Sequence, residues 1–342
     1  MLAIVQAVRE LSSREVEALH LGTHAAVEQR ILASAGIPSR GLSVYGLRGS
    51  NPALLAWNAA RMAAAIKPAL AAMKSFRPDV TLSTGGYVSA PVVVAGRIHG
   101  TPALLFSADV SAGLAIRFEA RLAQKIAVPV PQAAAGLPPD RMFVSGYPVR
   151  PDLTALPPKE DAKRALGFDP RQPLLLCFGG SQGARSINEA VAAGLDELLP
   201  ATQILHLAGT LDAPGLAARQ STRYHLEAFR EDMPTALAAA DLCVSRSGAS
   251  TLGELPAAGL PAILVPYPYA GGHQTANAEV LVHAGGAVLL ENQRARAGEL
   301  VPLILELLAD TPRRERMAAA MKARSQPEAA RTIAAALLEL AA

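Results

Sequence analysis

Residues 179–183, Gly179-Gly180-Ser181-Gln182-Gly183, follow the apolar run Leu174–Phe178 and lead at once into a stretch with helical spacing. A glycine turn between a strand and a helix leaves backbone N–H groups without intrahelical partners at the positive end of the helix dipole, which favours an anion. Glycine has no Cβ to block that approach. The chemistry implied is the grip of a phosphate compound. The same five residues fit G-x-S-x-G, the turn that presents the nucleophile of an α/β-hydrolase, and Asp241 and His273 follow in triad order. On that reading Ser181 attacks an ester. On a third, the glycines only make a tight turn.

Three further loops carry candidate groups. Ser245-Arg246-Ser247-Gly248-Ala249-Ser250-Thr251 again joins an apolar run to a helix. Thr251-Leu252-Gly253-Glu254 matches a capping box, with Thr251 as N-cap and Glu254 reaching back to its N–H. A carboxylate at that place also suits the two hydroxyls of a ribose, and both readings of Glu254 stay open. Gly272-His273-Gln274-Thr275-Ala276-Asn277 supplies an imidazole and amides, which donate and accept at once and so suit sugar hydroxyls. Thr84-Gly85-Gly86-Tyr87-Val88-Ser89 is another strand-to-helix glycine turn, in the first half of the chain. No two aspartates stand two apart, and neither a P-loop lysine nor G-x-G-x-x-G occurs. Metal-bound diphosphate by D-x-D, ATP hydrolysis and dinucleotide redox chemistry all lose support.

These loops need elements to hold them. At 342 residues the chain exceeds what one hydrophobic core supports, so two domains are expected. Apolar runs alternate with helical patterns. Strands are predicted over Val16–Leu21, Val80–Ser83, Ala103–Phe106, Met142–Val144, Leu174–Phe178, Gln203–Leu207, Leu242–Ser245, Ala262–Val265 and Ala287–Leu289. This is the β-α-β signature of parallel sheets covered on both faces. Pro148–Pro158, with four prolines in eleven residues, reads as the linker. Domains of residues 1–150 and 151–342 follow, with the last helix a candidate to pack back on the first. Met1–Leu11 reads as an amphipathic helix with Leu2, Val5, Val8 and Leu11 as its apolar stripe. A doubly wound domain normally opens with a strand and a ligand-binding turn; here that unit is expected to be missing.

Composition bounds the partners. Half the residues (51%) are apolar and the formal net charge is only +3, too small an excess to indicate a nucleic-acid binder. Cys177 and Cys243 both lie in apolar strand-like runs and read as buried, reduced thiols of a cytosolic protein. No signal peptide and no apolar run of bilayer-spanning length is found.

Several segments together resemble the MurG family, the bacterial transferases that add N-acetylglucosamine to the lipid-linked muramyl-pentapeptide precursor of peptidoglycan. They are TGGYVSAPVVVAG (84–96), GYPVR (146–150), GGSQGARSIN (179–188), FREDM (229–233), SRSGASTLGELPAAGLPAILVPYP (245–268) and HQTAN (273–277). The resemblance implies an α/β GT-B fold, two doubly wound Rossmann-like domains facing across a cleft. It implies that Gly180, Ser181, Gln182 and Gly183 hold the UDP diphosphate with Arg150. Arg246, Ala249, Met233 and Phe229 would surround the uracil, Ser250 and Thr251 would lie near the phosphates, and Glu254 would hold the ribose. Gln274 and Asn277 would read the sugar hydroxyls, with His273 standing where the family usually has glutamine. The implied reaction is inverting and metal-independent at the donor, with no cofactor: the muramyl 4-hydroxyl attacks C1 as UDP departs.

Two departures fall on the acceptor side, where Gly85, Gly86, Tyr87 and Asp109 are the candidates. The family opens with a strand and the loop G-G-T-G-G-H, and this chain begins just after it; a misassigned start is the expectation. The family's H-E-Q-N is here Phe106-Ser107-Ala108-Asp109. No catalytic base is assigned, and a silent UDP-sugar-binding relative is the alternative to an active transferase. A polyprenyl acceptor implies an anionic membrane surface as a partner and a peripheral place on the inner face of the cell membrane. Within residues 47–70, Leu54, Leu55 and Trp57 beside Arg48, Arg61 and Lys67 suit such a surface.

Overall fold

The computed structural model describes residues 1–23, 26–44, 52–180, 182–269 and 272–342; of residues 26–28, 52 and 55 it describes the backbone alone. Contacts divide the chain into two compact units, Met1–Pro148 with Glu328–Ala342, and Val149–Pro327.

The first unit runs α1 (Leu2–Leu11), β1 (His20–Gly22), β2 (Ser39–Gly41), β3 (Thr81–Ser83), α2 (Ser89–His99), β4 (Ala103–Phe106), α3 (Leu114–Ala120), β5 (Lys125–Val128) and β6 (Met142–Val144). Among the described residues its strands form two separate parallel sheets, β1-β2 and β3-β4-β5-β6. Every residue of β4 is buried, as a parallel strand covered on both faces requires. The predicted strand over Val16–Leu21 is shorter and later, since β1 begins only at His20 and pairs three residues with β2. The expected stripe on α1 is also displaced. Ala3, Ile4 and Ala7 are the residues it buries, the two alanines letting the helix approach while Ile4 fills the core, and Leu11 is exposed. Ile4 joins Leu104, Phe106, Ala127, Ile333 and Leu337 in one apolar cluster.

The second unit carries β7 (Leu174–Phe178), α4 (Arg185–Ala193), β8 (Gln203–Leu207), β9 (Tyr224–Glu227), α5 (Met233–Ala239), β10 (Leu242–Ser245), α6 (Thr251–Ala258), β11 (Ala262–Leu264), α7 (His273–His283) and β12 (Ala287–Leu289). Its six strands are all parallel in the order β12-β11-β10-β7-β8-β9. Chain order runs outward one way from β7 and the other way from β10, so the winding reverses between these two neighbours. Loops leaving the carboxyl ends of strands on either side of such a reversal diverge and leave a crevice for a ligand. Cys177 and Cys243 lie on β7 and β10 as free, fully buried thiols, and burial pushes Cys243 up to about 12. The last helix, α8 (Ala329–Ala341), belongs to the first unit and packs on α1.

Candidate functional site

The loop after β7 lies at this reversal. Gly180 and Gly183 have φ of +85° and +84°, a left-handed backbone that disfavours any side chain. Gly183 is also crowded, since a Cβ there would lie 2.0 Å from the Ala208 carbonyl oxygen. Its N–H donates to the Gly180 carbonyl (3.0 Å), closing a turn just before α4. Gly180 and Gln182 are exposed. Ser181 falls outside the described residues.

A buried chain of hydrogen bonds braces this turn from behind. Asn188 on α4 donates through Nδ2 to the Ala208 carbonyl (2.8 Å) and to Asp212 Oδ2 (2.9 Å). Its Oδ1 must then accept, which sets His206 Nε2 as a donor (3.0 Å) and His206 Nδ1 as acceptor for the Tyr224 hydroxyl (2.8 Å). Burial pushes His206 down to about 4, so the neutral ring this relay needs is the stable one. Asn188, His206 and Tyr224 were not read from the sequence as part of the site. Asn188 lies inside the matched stretch GARSIN, which was the available signal.

The loop after β10 is held just as closely. Arg246, expected at the uracil, turns its guanidinium inward. Nη1 donates to the carbonyls of Val265 (3.0 Å) and Pro266 (3.2 Å) and to Asn292 Oδ1 (2.8 Å), and Nη2 to Ser186 Oγ (3.0 Å). It lies 5.5 Å from the centre of the Tyr267 ring. Arg246 thus ties the ends of β10 and β11 to the start of α4. Ser247 Oγ donates to the Gln274 carbonyl (2.7 Å), and Asn277 Nδ2 donates to the Ser247 carbonyl (3.1 Å). Asn277 is wholly buried, and through this bond it braces the loop from beneath. Gln274 is half-buried and its Oε1 accepts from the Tyr267 N–H (2.9 Å). His273 is half-buried at the first position of α7.

The expected capping box does not form. Ser250 is the N-cap of α6, the Thr251 hydroxyl donates to the Gly248 carbonyl (2.6 Å), and the Ser250 hydroxyl donates to Glu254 Oε2 (3.2 Å). The turn is too tight for a box: both hydroxyls are used inside it, and the Glu254 N–H bonds the Ser250 carbonyl (2.9 Å). Burial raises the Glu254 carboxyl, while the Ser250 hydroxyl and the nearby charge of Arg150 lower it. Arg150 also pairs with Asp152 at 3.4 Å. Ala249 is half-buried, Phe229 is exposed, and Met233 opens α5 behind Asp232, whose carboxylate caps the Thr235 N–H (3.2 Å).

The hydrolase reading fails on placement. Asp241 sits where β7 and β10 begin, accepting from Lys159 Nζ (2.8 Å), Lys163 Nζ (2.6 Å) and the Leu174 N–H (2.9 Å). Residues 179–183 and His273 follow the opposite, carboxyl ends of the strands, and the length of β7 alone separates the two edges by roughly 15 Å. An ion-paired aspartate on the far edge cannot orient that histidine.

Comparison with known proteins fits this layout. The family model "Glycosyltransferase family 28 N-terminal domain" matches residues 1–128, and "Glycosyltransferase family 28 C-terminal domain" matches residues 174–333. The UDP-N-acetylglucosamine–N-acetylmuramyl-(pentapeptide) pyrophosphoryl-undecaprenol N-acetylglucosamine transferase of Halorhodospira halophila is 38% identical over 99% of this chain and 94% of that protein. The transferase of the same name from Roseiflexus is 37% identical over 93% of this chain and 82% of its own. This chain is a member of the MurG family. Among solved structures, Acinetobacter baumannii MurG aligns with a TM-score of 0.73 at 24% identity, over 99% of this chain and 94% of that one. A UDP-GlcNAc 2-epimerase from Neisseria meningitidis, bound to UDP-GlcNAc, aligns at 0.72 and 16% identity, over 99% and 96%. The fold is α/β of the GT-B type, and the enzyme class is that of the hexosyltransferases.

In the first unit of this MurG-family chain, the turn after β3 is also built on left-handed glycines. Gly85 and Gly86 have φ of +79° and +107°. The Gly85 N–H donates to Ser83 Oγ (3.1 Å), and a Cβ on Gly85 would meet Ile116 of α3 at 2.0 Å. Tyr87 is exposed and Asp109 half-buried. Among the described residues no group of three or more His, Cys, Asp or Glu is placed to hold a metal, and no helix is long and apolar enough to cross a membrane.

Proposed function

We propose that this chain transfers N-acetylglucosamine from UDP-N-acetylglucosamine to the muramyl 4-hydroxyl of the undecaprenyl-pyrophosphoryl muramyl-pentapeptide. The observation that carries it is the braced glycine turn at residues 179–183, opening into α4 beside the loop after β10. Backbone N–H groups, the α4 dipole and Arg150 hold the diphosphate, and they stabilise charge on it as the C1–O bond to UDP breaks. Glu254 takes the ribose hydroxyls. Phe229, Met233 and Ala249 enclose the uracil in a loop shaped by Arg246. Gln274 and His273 face the sugar, with Asn277 holding the loop beneath them, and Ser250 and Thr251 border the phosphates. The first unit receives the acceptor around Gly85, Gly86, Tyr87 and Asp109, and the acceptor oxygen forms the new bond to C1 with inversion.

The acceptor's polyprenyl tail places the enzyme on the inner face of the cell membrane as a peripheral protein, with no nucleic-acid partner. Leu54 and Trp57 are exposed on the helix Pro52–Ala64, and Lys67 is exposed just beyond it. Arg48 and the side chain of Leu55 fall outside the described residues.

A thermal-shift titration with UDP, UDP-N-acetylglucosamine and UDP-glucose, followed by transfer to a lipid-linked muramyl-pentapeptide analogue, tests the reading. UDP and UDP-N-acetylglucosamine are expected to raise Tm and the analogue to gain the sugar. No shift with any uridine nucleotide overturns the donor site. A shift without transfer identifies a silent binding relative.

A further inference from the structure

Glu119, on α3, is a wholly buried acid to which the mechanism above gives no work. The Ser83 hydroxyl donates to its Oε2 (2.5 Å) and the Ser89 hydroxyl to its Oε1 (2.7 Å). Both serines touch the acceptor-side turn. Ser83 Oγ accepts the Gly85 N–H (3.1 Å), and the Ser89 hydroxyl also lies 2.8 Å from the Gly86 carbonyl. Ser83 ends β3 and Ser89 opens α2, so one carboxyl group reaches both ends of the turn. We propose that Glu119 is a positioning residue that fixes Gly85 and Gly86 through Ser83 and Ser89, and thereby sets how well the acceptor binds.

The hydrogen count says which form does this. The Ser89 hydroxyl has one proton and two acceptors, the Gly86 carbonyl and Glu119 Oε1. An ionised Glu119 competes for that proton. A protonated Glu119 can donate to Ser89 Oγ, which frees the Ser89 proton for the Gly86 carbonyl, while Ser83 still donates to the other carboxyl oxygen. Every polar group is then satisfied. Burial raises this carboxyl to about 7, the two serine hydroxyls pulling the other way, so both forms are populated near neutral pH. Among the described residues no charged group enters that balance. β3 and β4 carry no ionisable side chain, Glu17 and His20 line the cavity beside Ser83 and Ser89, Arg97 and His99 stand at the far end of α2, and Arg117 of α3 donates to the Ala112 carbonyl (3.0 Å).

This inference rests on reading the first unit as the acceptor half, so its test has one readout that needs no turnover. Acceptor KM of the wild-type chain is expected to rise roughly fivefold, the worth of one net hydrogen bond, from about pH 6 to about pH 8. Glu119→Gln presents a fixed amide donor and carbonyl in place of the protonated acid, and is expected to hold the low-pH value throughout. Ser89→Ala is expected to hold the high value throughout, with donor KM unmoved in both variants. Amide exchange of residues 84–88, compared with Glu119→Gln at each pH, is expected to show wild-type protection falling away above about pH 7. Should acceptor KM and exchange match in all three proteins at every pH, the proposal is overturned. Equal losses in donor KM, acceptor KM and Tm would make Glu119 a packing residue only, which also overturns it. If the wild type transfers nothing, the functional reading fails and the exchange comparison alone decides whether Glu119 fixes the turn.

Discussion

Gly183 lies against Ala208 so closely that a Cβ on the glycine would sit 2.0 Å from the alanine carbonyl oxygen. The Asn188 amide donates to that same oxygen (2.8 Å), which cannot withdraw without breaking the brace behind the turn. Gly183→Ala is therefore expected to cost about 2–4 kcal/mol and to abolish the UDP-induced rise in Tm. Gly180→Ala, with open space around the same left-handed φ, is expected to cost about 1 kcal/mol. Urea unfolding and UDP titration of both variants check the contrast; equal losses would show that crowding at Ala208 does not matter.

Arg246 serves four acceptors with one planar group. A lysine ammonium offers a compact point charge and cannot reach the Val265 and Pro266 carbonyls, Asn292 and Ser186 together. Arg246→Lys is expected to lose about 2 kcal/mol of stability and at least tenfold in UDP affinity by calorimetry, with charge conserved. Near wild-type binding in Arg246→Lys would reduce the residue to a charge.

Each unit holds an ionisable group that burial biases towards its neutral form, and their linkages to pH have opposite signs. Glu119 is raised from 4.5 to about 7, so the stability it favours is full at low pH and is lost as pH rises towards 7, on the order of 3 kcal/mol. His206 is lowered from 6.5 to about 4, so its stability is full above the unfolded value and is lost as pH falls towards 4, again on the order of 3 kcal/mol. Amide exchange resolved by unit is expected to show the first unit loosening as pH rises from 4.5 to about 7 and the second as pH falls from 6.5 to about 4. Glu119→Gln should flatten the first dependence and leave the second in place.

Leu54, Trp57 and Lys67, exposed on the first unit, and the half-buried Arg61 among them yield a surface prediction. Arg61→Glu combined with Lys67→Glu is expected to weaken binding to anionic vesicles in a flotation assay, since each basic group near such a surface contributes about 1 kcal/mol. Unchanged flotation would remove this helix from the membrane contact.

Much of the sheet in the second unit was legible because most of its strands are largely apolar runs bounded by turn residues. Leu174–Phe178, Gln203–Leu207 and Leu242–Ser245 begin and end where the composition changes. The strands β2, β5 and β9 were not read. Ser39–Gly41 is too short and polar to stand out, Lys125–Val128 opens on a charge, and Tyr224–Glu227 mixes polar and apolar residues. At the site, sequence marked the loops but not the direction of their side chains. Asn277 and Arg246 are polar residues in candidate site loops, yet tertiary partners far along the chain, Asn292 above all, draw the Arg246 guanidinium into the protein. No local spacing encodes a partner 46 residues away. Glu119 escaped notice for the same reason: its serines lie 36 and 30 residues earlier.

The chain's only two thiols, Cys177 and Cys243, sit on adjoining central strands, sealed from water and held protonated by burial. A thiol reagent can reach neither without breaking that sheet apart. Alkylation therefore works as a clock on the second unit, each labelled molecule recording one opening of the half to which the proposed nucleotide loops belong. The rate at which uridine ligands slow the clock reads their hold on the folded form without any enzyme assay.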